Sequence, residues 1–391
     1  MSSKVGVLCT YTFPEGMAPT MRILSYGKGL VQNNCEVEVV IFKPLLQGNA
    51  KQATGYVNGV KYVYSHIRDT KKSVLYKLLI DRPKALFNAI KILCASHKIR
   101  KYDCILLSFD APLYLLFFAP ILKLFGFKLG FIGDEFPEPI RKLHSKIPFH
   151  YVLIYKFVYL FISFRVLMTE TLKDFYNKIC VKPTFILCSI IDVDRFKELS
   201  IKNRDEQYLC YMGNMMLAKD NVDNIIRAFN IIKDDFPSLS LHLYGIPNDS
   251  DKEIIVSLIA DLRLTERVRL KGRVDYNLVP NILANATLLL TSQPNTKRAS
   301  GGFPTKLAEY MMSRIPAIVT DVGEIHKYVK DGDTVYMVPP CDEVAYANKI
   351  KDVLNNYNDA LAVADRAFSY AIRNFGAKDV TSPMLNFILG L

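Results

Sequence analysis

The chain has 391 residues, half of them apolar, a mean hydropathy of +0.12 and a net charge of +12. That length exceeds what one core holds, and that apolar content excludes a disordered chain. The positive excess lies in one half. Residues 1–200 carry 28 Lys and Arg against 15 Asp and Glu, whereas residues 201–391 carry 22 against 23. Such asymmetry calls for an anionic partner, a membrane surface or a nucleic acid. Lys and Arg are dispersed, and no recognition-helix signature, zinc module or RNP-type motif occurs, so the expected partner is membrane and no nucleic acid. The eight cysteines form no C-x-x-C pair and no Cys/His cluster at zinc spacing, which fits buried apolar positions in a reducing cytoplasm. The N-terminus MSSKVGVLCTY enters a strand almost at once, so no secretory signal is expected.

Lys4 to Cys9 is predicted as a strand, Thr10 to Pro19 as a loop carrying Gly16, Thr20 to Gln32 as a helix and Val37 to Phe42 as a strand. This β-α-β opening begins a doubly wound sheet. The G-x-G-x-x-G fingerprint is absent, which argues against NAD. Gly16 is either a turn glycine or a point where backbone approaches a ligand at the helix head. A strand over Val57 to Ser65, a helix over Lys72 to Lys98 broken near Arg82-Pro83, and strands at Cys104 to Ser108 and Lys128 to Ile132 follow. Asp134 and Glu135 come directly after the last of these. Carboxylates there sit where open α/β sheets bind ligands, unless they belong to a solvated acidic loop.

Ile147 to Met168 raises the transmembrane question, but His150, Lys156 and Arg165 interrupt it. It is predicted as a helix that packs in a core or docks on lipid headgroups, with Arg141, Lys142, His144 and Lys146 before it, followed by a strand at Val166 to Thr169. A further strand is predicted at Phe185 to Ile191. Asp192 and Asp194 form an Asp-x-Asp that could hold a divalent ion. The same pattern recurs at Asp249/Asp251 and Asp331/Asp333, so all three are read as turns and no metal is expected.

Residues 197–206 are polar and form the candidate linker, after which the alternation restarts. A strand at Tyr208 to Met212 ends in Gly213-Asn214, and strands at Leu239 to Gly245, Val268 to Lys271 and Leu288 to Thr291 alternate with helices. Gly301 to Glu324 (GGFPTKLAEYMMSRIPAIVTDVGE) then reads as paired glycines, a helix from about Thr305 to Ser313, a strand at Ala317 to Val319 and a loop. Glycines before a helix N-terminus, with Lys306 beside them and Glu309 one turn on, describe a phosphate site next to a carboxylate suited to a ribose diol. A glycine turn before an amphipathic helix is the plain alternative. The alternation predicts two consecutive Rossmann-like domains, 1–197 and 198–365, with a C-terminal helix in 366–391 packing back on the first and ligand loops facing across a cleft.

Residues 208–355 resemble the C-terminal domain of glycosyltransferase family 4, retaining enzymes of the GT-B fold. The resemblance is carried by YMGNMMLAKDNVDNIIRAF, VRLKGRVDYNLVPNILANATLLL and GGFPTKLAEYMMSRIPAIVTDVGEIHKYVKDGDTVYMVPPCDEVAYA, and more loosely by IIDVDRF at the junction. It implies that Gly213 and Lys219 bind a diphosphate, that Arg273 and Val274 pack on the base, and that Gly302, Phe303, Pro304, Thr305 and Lys306 lie at the diphosphate. Glu309 falls at the ribose hydroxyls, Asp134 or Glu135 near the transferred sugar, and Gly16 over the donor. Two positions depart from the family pattern. Gly301 replaces the first glutamate of Glu-x7-Glu, which shifts sugar selection to Arg298, Ser300 or backbone amides, and Asn214 replaces the basic residue after the phosphate-loop glycine.

The implied activity is transfer of a hexose from a nucleotide diphosphate sugar, UDP favoured over GDP, to a hydroxyl with retention of configuration. Lys219 and Lys306 would neutralise the departing diphosphate without a metal. A lipid-linked glycan in surface polysaccharide assembly is the expected acceptor, reached by a cytoplasmic protein lying on the inner membrane face. An epimerase of the same fold and a non-catalytic nucleotide-sugar-binding scaffold are the rival readings.

Overall fold

In a computed structural model of the chain, residues 2–69, 71–109, 111–143, 148–200 and 207–391 are described. They form two compact units, Met1–Asp192 with Gly376–Leu391, and Val193–Phe375.

The first unit is built on eight strands in the order Thr184–Ile186, Phe164–Leu167, Leu129–Gly133, Cys104–Ser108, Lys4–Cys9, Glu36–Ile41, Val60–Tyr64 and Thr54–Val57. All pair in parallel except the last, which returns through Asn58 and Gly59. Both turn residues have positive φ, 50° and 78°, the geometry of an Asn-Gly type I′ hairpin. That turn divides the single strand expected over Val57 to Ser65. Strand Lys4–Cys9 is buried along its whole length, as a central parallel strand covered on both faces must be.

The second unit carries six parallel strands in the order Val268–Gly272, Ser240–Tyr244, Tyr208–Met212, Leu288–Leu290, Ala317–Thr320 and Tyr336–Val338. Numbered along the chain, this is the Rossmann order 3-2-1-4-5-6. The parallel strands of the first unit follow the same scheme with one more at the edge. Each sheet therefore reverses direction once, between Lys4–Cys9 and Cys104–Ser108 in the first unit and between Tyr208–Met212 and Leu288–Leu290 in the second. Ligand crevices open at the carboxyl ends of strands beside such a reversal.

Several boundaries differ from the sequence reading. The first unit ends at Asp192 rather than 197, and of the candidate linker only residues 197–200 lie among the described residues. Helix Tyr357–Phe375 stays with the second unit because its alanine face, Ala360, Ala364, Ala367 and Ala371, is buried there. Helix Ala377–Leu389 packs on helix Ala18–Gln32 in the first unit, where the Asn33 amide donates to Lys378 O at 2.8 Å and to Thr381 Oγ1 at 3.0 Å.

The helix expected over Lys72 to Lys98 comes in three pieces: Val74–Tyr76, a π-helical turn Lys77–Asp81 and Arg82–Ile99. Pro83 has no amide to offer Leu79, so the ladder widens just ahead of it. The apolar stretch from residue 147 to 168 is a ten-residue helix, Phe149–Val158, and a strand that starts at Phe164. Tyr155, Val158 and Tyr159 are buried, and Arg165 is fully enclosed with its guanidinium donating to Asn177 Oδ1 at 2.5 Å. His144, Lys146, Ile147 and the side chain of Lys142 lie outside the described residues. Among the described residues no helix is long and apolar enough to cross a membrane. All eight cysteines are free.

Candidate functional site

Strand Tyr208–Met212 delivers Gly213 to the carboxyl edge of the second sheet, beside its reversal, where the Gly213 amide donates to Tyr244 O at 2.9 Å. A Cβ on Gly213 would stand 2.4 Å from both Lys306 Nζ and Tyr211 Oη. Glycine is what lets the ammonium reach the loop backbone. Asn214 follows, exposed, and Met215 turns at a φ of 53° into the short helix Leu217–Asp220.

Lys306 opens helix Lys306–Met312, and its Nζ lies 3.1 Å from Asp220 Oδ1, 3.1 Å from Tyr211 Oη and 4.3 Å from the Tyr211 ring centroid. The Asp220 side chain is 3% exposed and that of Lys306 17%. Burial lowers the pKa of Lys306, since water no longer stabilises the ammonium, and Asp220 only partly offsets this. For Asp220 burial favours the neutral acid, but Lys306, then Lys219, and hydrogen bonds from Lys306 and Tyr211 outweigh it. The carboxyl therefore sits below its usual range. Half-buried Lys219 thus adds a second positive charge at the same place.

The expectation of paired glycines heading a helix is corrected. Gly301 closes a separate short helix, Lys297–Gly301, which Thr296 caps by accepting from the Ala299 amide at 3.3 Å. Helix Lys306–Met312 spans seven residues and has no side-chain cap. Between the two, Phe303 is buried against Tyr328 and Phe375, with ring centroids 5.4 Å and 5.8 Å away, and Pro304 is buried beside it. Their side chains support the loop from within the unit, so backbone contact is the role open to them. Gly302 is half-buried and Thr305 exposed.

Glu309 forms an ion pair with Arg195 from the turn Val193–Phe196. Arg195 also donates to Tyr276 O at 2.8 Å and stacks over the Tyr276 ring, 3.4 Å from its centroid. Tyr276 stands just past Arg273 and Val274, whose segment leaves strand Val268–Gly272. Arg273 is exposed, whereas Val274 packs inward on the cluster around Tyr208 and Cys210. Arg195 thereby ties the expected base loop to the expected ribose carboxylate.

In the first unit, Gly16 lies in the loop after strand Lys4–Cys9, at that sheet's reversal. A Cβ there would meet Thr20 Oγ1 at 2.2 Å, in the space where Thr20 donates to Thr12 O at 2.7 Å. Asp134 pairs with Arg22 Nε at 2.9 Å, and Arg22 is held further by Tyr26 Oη and Leu187 O. Glu135 pairs with Arg141. Both carboxylates expected near a sugar are thus engaged by arginines.

Tyr211, Asp220, Arg195 and Tyr276 received no role from the sequence. A lysine set among Pro304, Leu307 and Ala308 signals that a counter-charge must be buried nearby, but not which one. The Asp-x-Asp pairs serve the fold: Asp192 holds Lys28 at 2.5 Å, Asp251 accepts from the Leu217 amide at 3.2 Å and Asp333 binds Arg366 at 2.9 Å. Among the described residues no group of His, Cys, Asp and Glu could hold a metal ion.

The two Rossmann-like sheets are those of the GT-B fold. Residues 192–370 match the family model described as Glycosyl transferases group 1. The structure is similar to sucrose-phosphate synthase from Thermosynechococcus elongatus, with a TM-score of 0.75, 15% identity and 98% of each chain covered. It is similar to Anabaena HepE in complex with UDP and glucose, with a TM-score of 0.70, 13% identity and 100% of each chain covered. A mutant of S. aureus TarM in complex with Fondaparinux, alpha-GlcNAc-glycerol and UDP gives a TM-score of 0.70 at 12% identity over 99% of each chain. No curated protein sequence matches the chain. The resemblance to GT-B glycosyltransferases read from the sequence stands.

Proposed function

We propose that the protein is a retaining glycosyltransferase that moves a hexose from a nucleotide diphosphate sugar, UDP favoured over GDP, to a hydroxyl of a lipid-linked glycan in surface polysaccharide assembly. The observation that carries this reading is the Lys306 ammonium held under Gly213 at the reversal of the second sheet, with Lys219 beside it. Transfer breaks the bond between the anomeric carbon and the diphosphate oxygen while the acceptor hydroxyl oxygen bonds to that carbon and its proton passes to the departing diphosphate. Negative charge grows on the departing diphosphate, and fixed positive groups out of water stabilise it more as it grows. Lys306 and Lys219 supply that charge in this reading, with the amides of residues 302–305, and no metal is needed. Glu309 takes the ribose hydroxyls through the carboxylate oxygen that Arg195 leaves free. Asp134 and Glu135 orient groups near the sugar through Arg22 and Arg141. The acceptor reaches the first unit from an anionic membrane face.

Incubating the protein with UDP- and GDP-sugars and lipid acceptor extracts, and following nucleotide release and product configuration, tests the proposal. Release of UDP with an α-linked product from an α-linked donor is the expected outcome. The substitution of the first family glutamate by Gly301 gives a specific ground for the scaffold alternative. Tight UDP binding without release from any donor would select it.

A further inference from the structure

The first unit exposes an apolar face that its fold leaves uncovered. In the segment around the π turn, Val74 is 72% exposed, Leu75 65% and Leu79 63%. Phe87 follows on helix Arg82–Ile99 at 55% and touches Phe117 of helix Pro112–Leu124, with ring centroids 5.5 Å apart. Helix Pro112–Leu124 continues the face with Leu113, 72% exposed, and packs beside helix Phe149–Val158, which leaves Phe149, Leu153 and Phe157 exposed. A shallow cavity of about 470 Å³ indents this face, lined by Leu79, Ile80, Pro83, Phe87, Lys84 and Lys91.

The charges around this face have one sign. Residues 71–101 contain nine Lys and Arg and a single acid, Asp81. That acid is buried, 3.0 Å from His66 Nε2. Neither residues 112–127 nor residues 149–158 contain any Asp or Glu. Exposed leucine and phenylalanine set among lysines, with no exposed carboxylate, is the composition of a surface that lies in the interfacial layer of an anionic bilayer. A second copy of the chain is a poor occupant, because two such faces would bring like charges together.

We infer that the face formed by Val74–Ile80, Phe87 and helix Pro112–Leu124 docks on anionic lipid, Leu75 and Leu79 entering the acyl boundary while Lys84 and Lys91 meet headgroup phosphates. This deepens the lipid-linked acceptor reading and rests on it. It also shifts the centre of the membrane contact from helix Phe149–Val158, whose Tyr155 is core, to the segment around the π turn.

Flotation of the full chain with vesicles of phosphatidylcholine alone, and of phosphatidylcholine mixed with phosphatidylglycerol, tests it. Binding to the mixed vesicles only is expected. Lys84→Glu/Lys91→Glu should weaken that binding roughly thirtyfold or more, and Leu75→Ser/Leu79→Ser to a similar degree, whereas Lys252→Glu in the second unit should not. These side chains are exposed, so circular dichroism and UDP binding should match the wild type. Unchanged flotation of both double variants, or none by the wild type, would overturn the surface. Self-association abolished by Leu75→Ser/Leu79→Ser, without vesicle binding, would assign the face to an interface between copies. Nucleotide-sugar turnover measured without vesicles reads the glycosyltransferase proposal separately, because a wrong docking face leaves it intact and a wrong enzyme reading abolishes it.

Discussion

Lys306 Nζ and Asp220 Oδ1 lie 3.1 Å apart although 86 residues separate them in the chain. One stands at the start of the helix after the glycine-rich segment, the other at the end of the turn after Gly213. Their pairing holds the Lys306 ammonium at the reversal of the second sheet, with Lys219 beside it. A buried lysine needs this partner to stay charged, and the same burial makes its charge effective toward a diphosphate.

Lys306→Ala should cost about 3–5 kcal/mol of stability, since it strands Asp220 in a dry pocket. Lys306→Met combined with Asp220→Asn should recover most of that loss in urea titrations. The double variant should still bind UDP poorly by calorimetry. Recovered stability together with recovered UDP affinity would remove Lys306 from the donor site.

The lowered pKa of Lys306 gives UDP affinity an alkaline limit. The ammonium loses its proton below the ordinary lysine value of 10.5, so affinity should fall as pH rises toward that value. Lys306→Arg, whose guanidinium stays charged, should bind UDP without this alkaline fall. Asp220 acts at the other end. Its depressed pKa contributes stability that is present above the usual carboxylate range and lost as pH falls through the folded value. Asp220→Asn should flatten that acid limb in thermal melts.

Gly213→Ala puts a methyl where Lys306 Nζ and Tyr211 Oη now stand, each 2.4 Å from the new carbon. Lys306 is flexible and can be pushed aside, whereas the Tyr211 ring is fully buried and its Cζ would lie only 3.0 Å from the new carbon, so the ammonium is displaced at some cost in packing. UDP affinity should drop about tenfold, or ~1.4 kcal/mol, with a lowered melting temperature.

Glu309→Gln should reduce affinity for UDP by roughly tenfold or more but leave affinity for a 2′,3′-dideoxy analogue nearly unchanged, because a carboxylate hydrogen bond to a hydroxyl is what is lost. Arg195→Ala frees the carboxylate and removes the stacking on Tyr276. It should raise KM for the donor more than it lowers kcat, and Arg195→Lys should restore little because lysine lacks the planar fork.

Asp134→Asn tests whether that carboxylate works on the sugar or on Arg22. Arg22 is buried with its charge, while Asp134 is one-third exposed, so breaking the pair should cost only about 1–2 kcal/mol. A fall in kcat far beyond what that loss of stability explains would assign Asp134 to the reaction.

The alternation of short apolar strands with helices made two Rossmann-like units readable from the residues. Local signals also marked Lys306 and Glu309, because a lysine near a helix start and a carboxylate one turn on carry their physics within a few residues, whereas Gly213 and Lys219 came from the resemblance to glycosyltransferase family 4. The Asn58-Gly59 turn and Pro83 carried local signals as well, which set the hairpin and the π turn. Burial and partnership were beyond its reach. Nothing near Phe303 in the chain says that Tyr328 and Phe375 will enclose it, and nothing near Glu309 points to Arg195, 114 residues away. The sequence pointed to lipid only for the apolar run after residue 147. Packing buries Tyr155 and Tyr159 of that run while leaving Phe149 and Leu153 exposed, and it leaves Leu75 and Leu79, which the sequence did not single out, in water as well. Sequence pattern determined the elements, since hydrophobic period is a local property. Tertiary structure decided which charges meet and which apolar residues stay bare, since both depend on neighbours far along the chain.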